Sequence, residues 1–77
     1  MWAMAQTTIR SEIAGTVWKI EAQEGEAIAA DDPILILESM KMEIPVLAPE
    51  SGKLLRILVN PGDDVREGQD LATLDVQ

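Results

Sequence analysis

Pro33-Ile34-Leu35-Ile36-Leu37-Glu38-Ser39-Met40-Lys41-Met42-Glu43-Ile44-Pro45-Val46-Leu47 holds two strand-like apolar runs with a short break between them. Runs this close together predict an antiparallel hairpin, with Ser39-Met40-Lys41-Met42 at its tip. A two-residue hairpin turn needs φ > 0 at both central residues, which is why Asn-Gly or Asp-Gly is usual there. Met-Lys is a poor choice by that rule. A local rule broken at one exposed point is where a functional site is expected.

Working outward, the chain repeats itself with an offset of 37, as from Gly15 to Gly52. Gly25 matches Gly62, Val17 matches Leu54, Lys19 matches Arg56 and Ile20 matches Ile57. Further on, Ile28 matches Val65, Ile34 matches Leu71, Leu37 matches Leu74 and Glu38 matches Asp75. The two halves read as one supersecondary unit used twice. Each is too small to bury its own apolar face, whereas two related by a pseudo-two-fold can bury both.

The first unit predicts strands over Thr7 to Glu12, Gly15 to Ala22, Ala27-Ile28 and Pro33 to Glu38. The second predicts Ile44 to Ala48, Lys53 to Val59, Asp64-Val65 and Asp70 to Val76. Gln23-Glu24-Gly25 and Asn60-Pro61-Gly62 read as turns. Turn residues recur every eight to ten positions, and no segment keeps a long helical period. The pattern predicts an all-β sandwich or barrel. Pro33, Pro45, Pro49 and Pro61 suit strand starts and turns.

The residues around Lys41 carry a resemblance. Glu38-Ser39-Met40-Lys41-Met42-Glu43 resembles the attachment motif of the biotin carboxyl carrier family, within the wider biotinyl/lipoyl attachment domains. Ile44-Pro45-Val46-Leu47-Ala48-Pro49 and then Gly52 are similar to the stretch that follows it. The resemblance runs from about Ile9 to Val76. It implies a flattened β-barrel or sandwich of two four-stranded antiparallel sheets, with the attachment hairpin at one end and both termini near the other. It also implies that biotin is joined to Lys41 by an amide bond and carries CO₂, as carboxybiotin, from a biotin carboxylase to a carboxyltransferase. A biotin protein ligase would install the group. The chain would then be a non-catalytic carrier.

Taken from turn chemistry alone, Lys41 is an ordinary solvated lysine; within the motif it is the attachment point. Met40 and Met42 read in isolation as core fillers. At a hairpin tip there is little core to fill, and they look more like a surface that partners grip. Glu38 and Glu43 are either solvated strand ends or positions that the ligase inspects.

Two other readings stand beside this one. A lipoyl carrier shares the fold and the tip lysine, but typically shows Asp-Lys-Ala at the turn. An unmodified β scaffold would leave Lys41 free and replaceable. The chain also departs from the family at Asp31, where glycine is usual and the repeat partner Gly68 keeps it. Asp tolerates left-handed backbone better than most residues, so the turn is expected to survive. The stretch from Gly25 to Pro33 is too short for the "thumb" of some acetyl-CoA carboxylase carriers. The Ala/Pro-rich linker common in carrier subunits is missing. The chain is therefore a free-standing small carrier or an excised domain, with residues 1–6 as a tail and 7–77 as the domain.

Composition narrows the chemistry. The 77 residues suffice for one small domain with a thin core, packed by Ile, Leu and Val. Trp2 and Trp18 are the aromatic residues, and Trp2 lies outside the resemblance. With no cysteine or histidine, the usual thiolate nucleophile and neutral-pH general base are both missing. A net charge of −8 argues against nucleic acid and anionic membrane as partners. It suits solubility, or steering toward basic docking surfaces. Met1 to Ala5 lacks the basic n-region and long apolar run of a signal peptide, so a cytoplasmic monomer is expected. Asp31-Asp32 and Asp63-Asp64 lack the spacing of a calcium loop and read as turn residues. The glycines have no following helix and do not form a phosphate loop.

Overall fold

The computed structural model describes residues 5–76. Eight strands follow one another: β1 (Ala5–Arg10), β2 (Gly15–Ile20), β3 (Ala27–Ile28), β4 (Pro33–Ser39), β5 (Met42–Leu47), β6 (Gly52–Ile57), β7 (Asp64–Val65) and β8 (Asp70–Val76). They form two four-stranded sheets, ordered β1-β8-β6-β3 and β5-β4-β2-β7. Every pairing is antiparallel.

The repeat holds down to the register. Val17 pairs with Leu37 and Lys19 with Ile36, with a shift between Val17 and Lys19. Leu54 pairs with Leu74 and Arg56 with Thr73, with a shift between Leu54 and Arg56. Gly25 N–H donates to Leu54 O at 2.7 Å, and Gly62 N–H to Val17 O at 2.7 Å. Each half thus ties its turn to the other half's central strand. Both sheets draw two strands from each half. Neither half can pair its own edges, so the halves fold together.

The core is shared in the same way. Ile9, Ala22, Ile28 and Ile34 pack with Ala48, Leu54, Ala72, Leu74 and Val76. A second cluster joins Val17, Leu35 and Leu37 to Val59, Val65 and Leu71. Val46 and Ile57 pack against both. Truncating a fully buried leucine such as Leu54 or Leu74 to alanine would cost about 2–5 kcal/mol.

Several strand bounds differ from the pattern reading: β2 stops at Ile20 and not Ala22, and β6 spans Gly52–Ile57 in place of Lys53 to Val59. β1 begins at Ala5, because Ala5 and Gln6 continue the ladder opposite Val76 and Asp75. The last two residues of the expected tail, Ala5 and Gln6, are therefore paired strand; residues 1–4, Trp2 among them, lie outside the described residues. β1 also stops at Arg10, where the register shifts, and Ser11 N–H turns to Gln69 O at 2.9 Å. β5 likewise starts at Met42. Hydrophobic alternation cannot see these ends, since exposed residues pair through their backbones as well as apolar ones.

Asp31 occupies the left-handed region at φ 71°, as its counterpart Gly68 does at 84°. Asp31 N–H donates to Ala48 O, and Gly68 N–H to Ser11 O. The turn survives the substitution. Within it, Asp32 Oδ2 accepts Ala29 N–H at 3.0 Å. Asp63 Oδ2 likewise accepts Asn60 N–H at 2.8 Å. These carboxylates serve turns, and among the described residues no group of three or more Asp or Glu is disposed to hold a metal ion.

Candidate functional site

β4 and β5 run to the last pair, Ser39 opposite Met42. The turn between them holds two residues, Met40 at φ 52° and Lys41 at φ 64°. Both lie in the left-handed region, as a type I′ hairpin turn requires. A side chain bearing a Cβ resists this conformation, at roughly 1–2 kcal/mol per residue. The register of the hairpin over-determines the turn and holds both residues there.

The pseudo-two-fold relates the base of this tip to the far pair of β1 and β8. Ser39 and Met42 map onto Val76 and Ala5, which pair in the same register. The last pair before the tip and the pair of Ala5 with Val76 are therefore pseudo-symmetric counterparts.

The tip is bare. Met40 is 91% exposed and Met42 62% exposed. Lys41, Glu38 and Glu43 are exposed as well. Among the described residues the ion pairs are Arg10 with Asp70 and Lys19 with Glu21, so Lys41 belongs to neither. Lys19 and Lys53 stand inside β2 and β6. Lys19 Nζ is 3.1 Å from Glu21 and 5.8 Å from the centre of the Trp18 ring. Of these three lysines, Lys41 alone stands in a turn, its neighbours two exposed thioethers.

A row of acids backs the tip. Glu43 stands opposite Glu38, Glu38 opposite Thr16, and Thr16 opposite Asp64. Thr16 Oγ1 donates to Asp64 Oδ1 at 3.1 Å. The pseudo-two-fold supplies an internal control. The equivalent row at the other end reads Gln6, Asp75, Lys53 and Ala27. That row holds one acid, the buried Asp75, and one lysine, whereas the tip row holds three carboxylates and no cation. The tip sequence had singled out Glu38 and Glu43. Asp64 joins them only through β2–β7 pairing, which no local pattern reveals.

A cavity of 510 Å³ lies along the seam between β1 and β5, lined in part by Ile9, Arg10, Leu37 and Ile44. Its one cation, Arg10, is engaged with Asp70 at 3.0 Å. It offers no nucleophile paired with a base.

Residues 4–74 match the family described as "Biotin-requiring enzyme". The chain belongs to this biotinyl/lipoyl attachment family. It is 40% identical over 67 residues to a biotin/lipoyl attachment protein of Bacillus subtilis, across 87% of this chain and 92% of that one. It is 33% identical over 72 residues to the biotin carboxyl carrier protein of Streptococcus mutans, across 94% of this chain and 55% of that one. Among solved structures, the urea carboxylase of Kluyveromyces lactis superposes with a TM-score of 0.88 at 35% identity. That match covers 96% of this chain and only 6% of the carboxylase. This is a biotin carrier domain, homologous to the biotinyl domains built into carboxylases.

Proposed function

We propose that Lys41 is the residue to which biotin is attached, through an amide to its Nζ, and that a carboxylase uses the domain as its mobile carrier. The observation that carries this is the turn itself. Two non-glycine residues are held in left-handed backbone at the most exposed point of the hairpin, with the lysine amine outside both described ion pairs. The tip fits the group, since Lys41 is exposed and stands in neither described ion pair.

A lysine amine is an ammonium at neutral pH and must lose a proton before it can attack an activated acid. The chain has no histidine or cysteine to take that proton. A separate biotin protein ligase therefore supplies both the activated biotin and the base. Glu38 and Glu43, on the strands that carry the tip, present carboxylates to it. The unrelieved row they form with Asp64 favours a basic surface on the approaching enzyme. Met40 and Met42 give the tip two flexible, polarizable side chains for partners to grip.

Lys41 would hold the group, and biotin bound there would supply a ureido nitrogen able to take up and release a carboxyl group. The domain contributes reach and a high local concentration of the group at two enzyme sites. Those sites belong to a biotin carboxylase and a carboxyltransferase.

The test is to incubate the chain with a biotin ligase, ATP and biotin, digest it and map the mass shift. We expect one biotin, on Lys41. Biotin on Lys19 or Lys53, or none on Lys41, would overturn the assignment.

A further inference from the structure

Met40 has no structural reason to be methionine. At 91% exposure it fills no core. At φ 52° it sits in backbone that Asn or Gly adopts more readily. Met42, the cross-strand partner of Ser39, is 62% exposed. The chain contains no cysteine, so thioethers are its softest and most readily oxidised groups. The two at the tip flank the one lysine that a modifying enzyme must reach.

We propose that Met40 is a site of reversible oxidation by peroxide, and that the sulfoxide slows acylation of Lys41. The proposal rests on the reading of Lys41 as the attachment point. In the step, the Met40 sulfur attacks one peroxide oxygen. An S–O bond forms, the O–O bond breaks, and the proton on the transferred oxygen passes to the departing hydroxide, which leaves as water. Sulfur loses two electrons and peroxide gains them. Return to the thioether takes two electrons and two protons from a thiol-dependent sulfoxide reductase, with water as the product.

The consequence follows from polarity. A thioether offers an apolar, polarizable surface, whereas a sulfoxide is a chiral hydrogen-bond acceptor that must be desolvated when a partner closes over it. Met40 precedes Lys41 directly, so an enzyme that encloses the lysine amine also covers this sulfur. Losing one thioether contact lowers the loading rate by roughly tenfold at most from the contact alone.

The experiment uses the 77-residue chain. Treat it with graded hydrogen peroxide, map oxidation by peptide mass spectrometry, and measure the initial rate of biotinylation by a biotin ligase. Repeat the rates after a methionine sulfoxide reductase. Run Met40→Leu and Met42→Leu in parallel, each compared with its own untreated rate. We expect oxygen on Met40 before Met42 or Trp18, a fall in rate that follows Met40 sulfoxide, and recovery after the reductase. Met40→Leu should lose most of the peroxide sensitivity, and Met42→Leu should keep it. Met42 or Trp18 oxidised first would overturn the proposal. So would full Met40 sulfoxide with an unchanged rate, or undiminished sensitivity in Met40→Leu. A chain that is not loaded on Lys41 before any peroxide refutes the attachment reading itself, and this proposal with it.

Discussion

Glu38 and Glu43 face each other directly across β4 and β5, one pair short of the tip. Like charges in directly opposed positions destabilise a sheet, while opposite charges support it. At the pseudo-symmetric position the same register sets Gln6 against Asp75. The repulsion at the tip is therefore a matter of side-chain choice and is not forced by the fold.

Glu43→Gln is expected to move stability and loading in opposite directions. Removing one charge should stabilise the domain by about 0.2–1 kcal/mol, near the low end because both side chains are exposed. The gain should shrink at high salt. Biotinylation by a ligase should slow. Thermal melts at two salt concentrations and initial loading rates check both arms. A variant that loads at the wild-type rate would return Glu43 to the status of a solvated strand end.

Lys41→Arg is expected to abolish biotin loading and leave the fold intact. Arginine keeps the charge but is always protonated and is no acyl acceptor near neutral pH. The position is exposed, so the stability change should stay within about 0.5 kcal/mol. A streptavidin blot and a thermal midpoint suffice. A large drop in the midpoint would reveal a structural role for Lys41.

Met40→Asn should stabilise the tip while weakening its function. Asn adopts the left-handed region more readily than Met, and Met40 buries little that would be lost. A gain of about 0.5 kcal/mol would raise the melting temperature by roughly 2–4 °C in a domain of this size. Loading should fall because one thioether is gone. An unchanged or lower melting temperature would show that Met40 packs in some way its exposure hides.

The glycines give a graded test of the two-fold. A Cβ on Gly15 would lie 2.6 Å from Glu38 O, and one on Gly52 would lie 2.3 Å from Asp75 O. Backbone is in the way at both sites, so Gly15→Ala and Gly52→Ala should each cost more than about 2 kcal/mol. Gly25 has open space but φ 89°, and Gly25→Ala should cost about 1 kcal/mol. Denaturant melts of the three variants give the order. Gly15→Ala should also disturb loading, because the strand it displaces is β4, which leads into the tip.

The sequence by itself determined the hairpin, its tip and its lysine. A two-residue interruption between apolar runs leaves few conformations, and the motif around Lys41 is contiguous. It also determined the repeat, because equivalent glycines and aliphatics recur at one offset, and from the repeat came the shared core. Asp31 was legible too, since Gly68 showed what its backbone must do. Only the tertiary structure decided the strand ends. Ala5 and Gln6 are exposed residues without alternation, and they become strand because Val76 and Asp75 offer partners some seventy positions later. Only the structure gathered Asp64 with Glu38 and Glu43, through pairings that bring the second half's β7 beside β2. Local pattern reports what a residue prefers. Which carboxylates share a row depends on strands that meet late in the chain, and that is settled by how the two halves interleave.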